Sequence, residues 1–390
     1  MSQRNTDKSD NKDKIIVGLD IGTTKICAVV GKTTEDGTEI IGIGTSPSSG
    51  LLDGVVIDIE SAAGAIHKAI AEAEQIAGCN INSVIVGITG DHIKGLNSNG
   101  VVAIKNLEVS KEDVCRAFDA AMETNIPVNS KVIHNLPQEF IVDEQGGICE
   151  PLGMSGIRLE ARVHIVTGSA GCVRNIIKAC DRASLHVTDI VLGQLATSCA
   201  VLTIDEKRLG VCMVDIGGGT TNISMFVDGQ VRYTSVIAIG GNQLTDDIAV
   251  ALHTPLVEAE IIKQKYGCCL SSLVGKDDAI MVPSIDDDIQ QDHYRSELCD
   301  IIRPRVEEIF TLIKQEIIKS GLQDSIKSGV VITGGASLLE GLPEFAKQIL
   351  NRPVRIGIPR NIGGLIEVVN SPMYAAGVGL VVYSGRNPAT

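Results

Sequence analysis

The sequence predicts an α/β fold made of two related halves, and three observations lead to this expectation. Short apolar runs typical of buried strands alternate with segments in which apolar residues recur at helical spacing. Aromatic residues make up only 3% of the chain, so the core must be aliphatic, as in buried α/β sheets. A motif that begins Asp-Ile-Gly follows a strand candidate at Asp20 and again at Asp215, half the chain length later. This repeat indicates that each half contributes one glycine-rich loop to a shared cleft.

The composition argues against several classes of protein. A formal net charge of −14 is unsuited to non-specific nucleic-acid binding, which needs a basic surface, so no nucleic acid is expected as a partner. The eleven cysteines are scattered, as expected of small buried side chains in a reducing cytosol, and the pair Cys268–Cys269 suits neither a redox motif nor a zinc site. No apolar run is long enough to span a membrane, and the polar segment Met1–Lys14 is expected to be a disordered tail.

The first half is predicted to open with a meander around its glycine loop. The strand candidates are Ile15–Leu19, Ile26–Lys32 and Glu39–Gly44, and the last two are separated by the turn Glu35-Asp36-Gly37. A helix over Asp58–Gly78 is indicated by apolar residues at helical spacing and by the closing glycine, and Val84–Ile88 is a further buried strand.

An insertion is predicted over residues 89–162, where the character of the sequence changes. Gly95–Gly100 is rich in turn residues, Lys111–Thr124 has one apolar helical face, and Val132–Val142 is extended. Val163–Thr167 is expected to return to a buried strand of the first half.

The alternation of helices and strands continues through the second half. Residues 275–293 are its most polar stretch, and Pro304 is expected to interrupt the longest helix. The predicted elements are Val173–Ser184, Val187–Leu192, Gln194–Leu202, Leu209–Val214, Ile223–Val227, Gln230–Ile239, Gln243–Leu252, Leu256–Tyr266, Ser296–Lys319, Val330–Thr333, Leu338–Leu350, Val354–Ile356 and Pro372–Tyr383.

The two repeated motifs carry residues suited to a metal–phosphate ligand. Asp20 and Asp215 stand where a strand enters a turn, and two such carboxylates can hold Mg²⁺ through water because that ion keeps its hydration shell. Either motif alone is equally consistent with a plain hairpin turn, and the pairing of the two favours the phosphate site. The candidate phosphate-binding groups are backbone N–H groups, hydroxyls and one cation. They belong to Gly22, Thr23, Thr24, Lys25, Gly217, Gly218, Gly219, Thr220, Thr221 and Asn222.

A second group of candidates suits a nucleoside. Gly334, Gly335 and Ala336 follow a buried strand, so a flat ring or a ribose can approach their backbone, although a plain strand-to-helix turn is as consistent. Glu260 and Lys263 share one helix face and could contact ribose and adenine, unless they form a solvated ion pair. Gly241, which precedes a helix, completes this group of candidates.

Other nucleotide motifs and catalytic arrangements do not occur in the sequence. A Gly-x-x-x-x-Gly-Lys-Ser/Thr loop and a Gly-x-Gly-x-x-Gly turn after a strand are both missing, which argues against a P-loop or a Rossmann site. No Ser/His/Asp or Cys/His arrangement stands out, so no catalytic residue is nominated.

Three of these motifs together resemble the nucleotide-binding fold shared by actin, Hsp70 and sugar kinases, which consists of duplicated ribonuclease-H-like domains. They are Asp20–Lys25, Asp215–Asn222 and Val331–Ala336. Within that fold, the segment Val132–Gly168 is similar to the inserted subdomain 1C of the FtsA family of bacterial actin-like cell-division proteins. It contains Pro137-Gln138-Glu139-Phe140, Gly153-Met154-Ser155-Gly156 and Arg158-Leu159-Glu160. The resemblance extends over about residues 14–383.

The resemblance implies four subdomains with ATP and Mg²⁺ in a central cleft. Subdomain 1A would comprise residues 15–88, 163–195 and about 360–390, and subdomain 1C would comprise residues 89–162. Subdomain 2A would comprise residues 196–239 and 304–359, and subdomain 2B would comprise residues 240–303. Any ATP hydrolysis is expected to be slow or incidental to a role of the nucleotide in polymerisation.

The resemblance also implies partners. FtsA-like proteins polymerise into actin-like filaments and tether FtsZ to the cytoplasmic membrane at the division site. The FtsZ C-terminal tail would dock on subdomain 2B, with Arg303 and Arg305 as partners for its acidic residues, and subdomain 1C would contact a neighbouring protomer and later divisome membrane proteins. The family's basic membrane-binding C-terminal helix has no counterpart in Ser384–Thr390, so direct membrane binding by this chain as given is not expected.

Three alternatives share the predicted fold. The pilus-assembly protein PilM has an insertion of this kind, but the Gly-Met-Ser-Gly and Arg-Leu-Glu segments favour FtsA. A sugar or acetate kinase would need a catalytic base beside a small-substrate pocket, and none is nominated. A chaperone of the Hsp70 type would need a further substrate-binding domain, for which the chain has no room.

Overall fold

The computed structural model describes residues 14–34, 37–124, 126–275, 277–285 and 290–386. Residues 1–13 of the predicted tail, residues 35–36 of the predicted turn Glu35-Asp36-Gly37 and part of the polar stretch 275–293 lie outside these residues. Lys14, expected in the tail, begins the first strand, and Gly37 begins the third.

Strands occur in both halves and in the insertion. Several agree closely with the predicted bounds, and most extend by a few residues at their ends. They are β1 (Lys14–Ile21), β2 (Lys25–Thr34), β3 (Gly37–Pro47), β4 (Leu51–Leu52), β5 (Val55–Val56), β6 (Ser83–Ile88), β7 (Lys94–Ala103), β8 (Ser130–Val142), β9 (Gln145–Ile148), β10 (Arg158–Ser169), β11 (His186–Leu192), β12 (Val211–Ile216), β13 (Thr221–Val227), β14 (Gln230–Ile237), β15 (Ala279–Pro283), β16 (Gln290–Tyr294), β17 (Val330–Thr333), β18 (Val354–Ile356) and β19 (Ile362–Gly364).

The helices lie between these strands, as the alternating pattern predicts. They are α1 (Ile59–Ala77), α2 (Lys111–Met122), α3 (Ala170–Arg182), α4 (Gly193–Val201), α5 (Ile204–Leu209), α6 (Gly241–Ala251), α7 (Leu256–Tyr266), α8 (Arg295–Lys319), α9 (Leu342–Leu350), α10 (Ile366–Val369) and α11 (Ala375–Arg386). None of the helices in the described part of the chain combines the length and apolar character required to cross a membrane.

The two halves contain sheets built on the same plan. In the first sheet, β1, β2 and β3 form an antiparallel meander, and β6 pairs parallel with β1 on its other side. In the second sheet, β12, β13 and β14 form the equivalent meander, and β17 pairs parallel with β12. The parallel partner sits opposite Asp20 at Gly87 and opposite Asp215 at Thr333. The predicted duplication is therefore present, and it places the two aspartates at equivalent positions.

Helix α1 illustrates how the local sequence determines an element. The Asp58 carboxylate caps its N-terminus by accepting from the backbone N–H groups of Glu60 and Ser61, and Gly78 ends it in the left-handed conformation at φ 67°. Its alanine-rich face packs on β3 at very short range, since a Cβ at Gly44 would lie 1.9 Å from the Ala69 carbonyl oxygen. The sheet and the helix can approach this closely only because that strand position is glycine.

Helix α11 covers the other face of the first sheet. A Cβ at Gly18 would lie 2.7 Å from Leu380 Cβ, and one at Gly31 would lie 2.2 Å from Val381 Cγ1. On its far side, α11 meets α4 backbone to backbone, because a Cβ at Gly379 would lie 2.1 Å from the Ala196 carbonyl oxygen. The last described helix is thus part of the core of the first half.

The insertion is a separate four-stranded sheet in the order β7-β10-β8-β9, and two expectations about it were wrong. Gly95–Gly100 is not a turn but part of β7, where Gly100 lets α2 approach because a Cβ there would lie 2.1 Å from Ala117 O. Val163–Thr167 does not return to the first sheet, since β10 pairs with β7 and β8 along its whole length. The inserted sheet therefore extends to residue 169.

Three expectations about the second half also change. Pro304 does not interrupt α8, which is continuous from Arg295 to Lys319. The helix predicted over Leu338–Leu350 begins only at Leu342, after a short 3₁₀ turn and the left-handed Gly341. The predicted strand Leu209–Val214 begins at Val211, because a short helix, α5, precedes it.

An ion pair fastens α5 to β18. Arg355 donates to both carboxylate oxygens of Glu206, from Nε at 2.6 Å and from Nη2 at 2.7 Å. Glu206 also accepts from the backbone N–H of Thr203 at 2.8 Å in a capping box. Burial would raise the pKa of Glu206, but Arg355 and Thr203 outweigh it and hold the pKa below its usual range.

We expect Glu206→Gln to lower the free energy of unfolding by about 1–2 kcal/mol at pH 7.5, because a bidentate charged pair is lost. A carboxyl whose folded pKa is depressed contributes stability above its unfolded pKa and loses it as the pH falls through the folded value. The difference between variant and wild type in urea unfolding should therefore shrink below about pH 4.3. Glu112→Gln, which breaks an exposed pair with Lys105, is the control with little expected effect. Equal losses in the two variants would contradict the assignment.

Candidate functional site

The two predicted glycine loops adopt the same tight turn. After β1, the Gly22 N–H donates to the Lys25 carbonyl oxygen at 3.0 Å, and after β12 the Gly217 N–H donates to the Thr220 carbonyl oxygen at 2.9 Å. Asp20 and Asp215 are the next-to-last residues of the strands that lead into these turns. The structure therefore places equivalent carboxylates and equivalent turns in both halves.

The loops face each other without room for side chains. A Cβ at Gly218 would lie 2.0 Å from Thr24 Oγ1, and one at Gly219 would lie 3.0 Å from Thr23 Oγ1. The hydroxyls of the first loop thus lie against the backbone of the second. Thr24 Oγ1 also donates to Asn242 Oδ1 at 3.3 Å. This arrangement is a cradle of backbone and hydroxyl groups between the two halves.

The two aspartates are electrostatically coupled. Burial raises the pKa of Asp215 to about 7, the facing Asp20 adds to this rise, and Thr197 and Lys25 partly offset it. Burial likewise raises the pKa of Asp20, and Lys25 partly offsets that rise. Two carboxylates in such surroundings are poorly stabilised as anions, so a cation placed between them would be favoured.

Lys25 is near the loops but points toward the C-terminal segment. Its ammonium donates to the Met373 carbonyl oxygen at 2.7 Å and lies 4.2 Å from the centroid of the Tyr374 ring. In this structure Lys25 therefore affects the aspartates through its charge while its hydrogen bond goes elsewhere.

A third glycine turn extends the cradle in the second half. The Gly241 N–H donates to the Gly217 carbonyl oxygen at 2.8 Å, and the Asn242 N–H donates to the Gly218 carbonyl oxygen at 2.8 Å. These bonds fix the start of α6 against the second loop. A Cβ at Gly240 would lie 2.5 Å from the Gly218 carbonyl oxygen, so this turn also needs glycine.

The nucleoside candidates are brought together beside this turn. Gly334 has φ +87°, and a Cβ there would lie 2.3 Å from Asp215 Oδ1. A Cβ at Gly241 would lie 3.2 Å from Ala336 Cβ and 3.5 Å from Lys263 Nζ. Gly335 is more open, with Met373 Cβ 4.0 Å from its Cβ position. The geometry therefore joins both groups of candidates into one cleft.

Glu260 and Lys263 form an inter-helix network and are not a solvated pair. Lys263 Nζ donates to Glu260 Oε2 at 2.6 Å, to Thr245 Oγ1 at 2.8 Å and to the Gly241 carbonyl oxygen at 2.8 Å. The side chains of Lys263 and Glu260 are only 12% and 29% exposed, respectively. Burial would raise the pKa of Glu260, but bonds from Lys263 and Thr245 lower it. The pair holds α7 against the turn at Gly241.

The last residues of the second motif are buried at the start of β13. Thr221 Oγ1 donates to the Ile239 carbonyl oxygen at 2.7 Å, and Asn222 Nδ2 lies 3.5 Å from Thr220 Oγ1. Asn222 Oδ1 is buried without a hydrogen-bond partner among the described residues. These side chains support the loop from beneath.

Two residues of the cleft were missed by the sequence reasoning. Thr197, on α4, lies beside Asp215 and lowers its pKa. Asp53 forms the tip of the β4–β5 hairpin, and its Oδ1 would lie 2.5 Å from a Cβ at Gly219. The Asp-Gly pair at residues 53–54, between two apolar pairs, is a hairpin signal that could have indicated the turn, although not its place in the cleft.

The proposed partner-binding arginines differ in their surroundings. Arg305 donates to both carboxylate oxygens of Asp247, at 2.8 and 2.9 Å, and to Glu308 at 2.7 Å. Arg303 is exposed on the same helix. Arg303 is therefore the more exposed of the two, whereas the partly exposed Arg305 is engaged in ion pairs within the protein.

The repeated sheets and facing loops define an actin-like protein, and solved structures share this fold. A structure described as the PilM-PilN type IV pilus biogenesis complex matches at TM-score 0.71 and 16% identity, covering 96% of this chain and 99% of that one. Spiroplasma citri MreB5 bound to ADP matches at TM-score 0.57 and 14% identity, with coverages of 96% and 99%. At these identities the likeness shows the fold alone.

Sequence relatives identify the family. The cell division protein FtsA of Pseudomonas aeruginosa is 51% identical over 371 residues, covering 95% of this chain and 89% of that protein. FtsA of Escherichia coli K12 is 41% identical with coverages of 95% and 90%, and FtsA of Bacillus subtilis is 37% identical with coverages of 97% and 85%. Two family models match as well, "Cell division protein FtsA" at residues 212–379 and "SHS2 domain inserted in FTSA" at residues 90–167. The chain belongs to the FtsA family of cell division proteins, and both the expected fold and the expected family are confirmed.

Proposed function

We propose that this cell-division protein binds ATP with Mg²⁺ in the cleft between its halves and uses the bound nucleotide to control self-association into actin-like filaments. The observation that carries the proposal is the cradle formed by the two facing glycine loops, where a Cβ at Gly218 or Gly219 would collide with Thr24 or Asp53. Neighbours of the same fold support it, because the MreB5 structures were solved bound to ADP and to AMPPNP.

The residues of the cleft suit a nucleotide triphosphate. Phosphate oxygens need hydrogen-bond donors, and backbone N–H groups and threonine hydroxyls of both loops are the candidates. The nucleoside would lie beside Gly335, the most open of these glycines, and near Gly334, Ala336, Gly241 and Lys263, which pack around it.

The aspartate pair suits Mg²⁺ held through water. Among the described residues, no three His, Cys, Asp or Glu side chains are grouped as direct metal ligands. Mg²⁺ commonly keeps several waters and relies on one or two carboxylates together with substrate phosphates, which fits Asp20 and Asp215. When bound, the ion would supply positive charge to the phosphates and to the two carboxylates.

Isothermal titration of the purified chain with ATP, with and without Mg²⁺, tests the nucleotide-binding part of this proposal. Saturable binding that strengthens with Mg²⁺ is the expected result. Lack of saturable heat with either form of ATP would contradict it. Electron microscopy of the protein with ATP on a lipid monolayer tests filament formation.

We further propose that the protein links FtsZ to the inner face of the cell membrane at the division site. Its membership of a cell-division family supports this role, and we propose that the FtsZ C-terminal tail docks around the start of α8, as the resemblance implies. Arg303 is the better candidate there, because Arg305 already pairs with Asp247. The inserted sheet is proposed to contact a neighbouring protomer and later division proteins.

We expect Arg303→Glu to weaken binding of an FtsZ C-terminal-tail peptide about tenfold, because an attraction to an acidic tail becomes a repulsion. Fluorescence anisotropy of a labelled peptide measures the change. Arg174→Glu, at an exposed site on α3, is the matched charge reversal with no expected effect. An equal loss of binding in both variants would mean that the peptide responds only to the net charge of the protein. Wild-type affinity of Arg303→Glu would show that Arg303 does not contact the peptide.

A further inference from the structure

We propose that Asp53 is a specificity-determining residue of the cleft, whose carboxylate disfavours a metal-free nucleoside triphosphate relative to a diphosphate and so couples triphosphate binding to a divalent cation. The inference rests on the proposed nucleotide site and adds to it a residue outside both glycine loops. It starts from the β4–β5 hairpin, which reaches from the first half across to the second.

The hairpin tip touches both loops. The Gly54 N–H donates to Thr23 Oγ1 at 3.0 Å, which ties the tip to the first loop. A Cβ at Gly219 would lie 2.5 Å from Asp53 Oδ1 and 3.0 Å from the Asp53 Cα, so the same tip lies against the second loop. Asp53 therefore stands where the backbone of one half meets the hydroxyls of the other.

The negative charge of the Asp53 carboxylate contrasts with the hydrogen-bond donors that the two glycine loops present. The loops present donors suited to an anion, whereas an ionised carboxylate is an acceptor only and repels phosphate. A triphosphate brings more negative charge between the loops than a diphosphate does. Without a cation the carboxylate penalises the longer chain more strongly, and with a cation the penalty is offset.

A direct role as a metal ligand is less consistent with the structure. Asp53 does not form a group of three potential ligands with Asp20 and Asp215 among the described residues. Its contacts are with Gly219 and with the threonine side of the first loop. The carboxylate is placed to act on the phosphate chain through its charge.

The preference of a tight hairpin turn for an Asp-Gly pair would also account for the presence of Asp53. A matched turn elsewhere in the chain distinguishes this turn preference from an effect of the carboxylate on the nucleotide. Asp53 has φ 47° and Gly54 φ 81°, while Asp228 and Gly229, between β13 and β14, have φ 55° and φ 81°. Both pairs fill a two-residue hairpin turn in which asparagine is equally acceptable. Asp228, however, lies outside the cleft, within 3.9 Å of Arg232.

The experiment compares Asp53→Asn with Asp228→Asn in the full chain, by isothermal titration with ADP and with ATP, each in Mg²⁺ and in EDTA. Asp53→Asn should lower the Kd for ATP in EDTA about tenfold, a modest effect for a partly exposed charge. Its Kd for ADP and for ATP with Mg²⁺ should stay within about threefold of wild type, and Asp228→Asn should match wild type throughout. The thermal midpoint of each nucleotide-free variant verifies folding, and Asp53→Gly, which also suits this backbone, repeats the test if asparagine fails.

Three outcomes overturn the inference. Equal Kd values of wild type and Asp53→Asn for ATP in EDTA would show that the carboxylate does not act on the phosphates. Weaker binding of ATP with Mg²⁺ alone would make Asp53 a metal ligand. A wild-type protein that binds neither nucleotide would remove the proposed function as well, and so the two failures are distinguishable.

Discussion

Replacing Asp215 by asparagine is expected to abolish Mg²⁺-dependent nucleotide binding while making the nucleotide-free protein more stable. The loss of binding should exceed about a hundredfold in Kd, because one of two carboxylates that face the proposed ion is removed. The gain in stability follows from burial, which raises the pKa of Asp215 to about 7, with Asp20 contributing. A charge that the native state disfavours costs stability, and the amide carries no charge.

The sign of the pH dependence tests this explanation. An acid whose folded pKa is raised above its unfolded value destabilises the native state progressively between those two values. The stabilisation by Asp215→Asn should therefore grow from about pH 4 to about pH 7 and then level off, at roughly 2 kcal/mol or more. Thermal unfolding without nucleotide measures this difference.

Asp189→Asn, at an exposed position of β11, is the matched control, and it should change neither property. Wild-type affinity of Asp215→Asn for ATP with Mg²⁺ would remove Asp215 from the site. A lower thermal midpoint at pH 8 would contradict the electrostatic argument.

Gly379→Ala is expected to destabilise the protein by about 3 kcal/mol or more, because the added methyl collides with backbone. Its Cβ would lie 2.1 Å from the Ala196 carbonyl oxygen and 2.8 Å from the Thr197 nitrogen, so α11 must move away from α4. Since Thr197 lies beside Asp215, the displacement should also weaken nucleotide binding.

Gly64→Ala provides the matched helical control. No described atom outside its own stretch of α1 lies within 4 Å of the Cβ position at Gly64. There the same substitution should stabilise by about 0.5–1 kcal/mol, because glycine is the poorer helix former. Urea unfolding of both variants measures the contrast. Equal midpoints would show that the contact between α11 and α4 adapts without cost.

The duplicated architecture could be predicted because its signals are local and occur twice. An apolar strand, an aspartate and a glycine turn are adjacent in sequence, and the same order recurs at Asp20 and Asp215. The bounds of Leu256–Tyr266 and Val330–Thr333 were likewise predicted correctly from periodicity and short apolar runs.

What could not be predicted depends on contacts between distant segments. Gly95–Gly100 looks like a turn, yet its glycine content serves the approach of α2 and its strand character comes from pairing with β10. Lys25 was expected beside phosphate, and its hydrogen-bond partner is Met373, at the other end of the chain. Asp53 carries a local hairpin signal, but the sequence contains nothing that places the hairpin tip between two loops.

Helix α11 has a consequence for how the protein is made on the ribosome. Residues 375–386 cover the sheet that begins at residue 14, whereas the second sheet is complete once residue 356 has been synthesised. During translation the second sheet can therefore be completed first, whereas one apolar face of the first sheet stays uncovered until α11 has been synthesised. The sheet that is synthesised first is thus covered last, and until then its uncovered apolar face is a surface through which the nascent chain can aggregate.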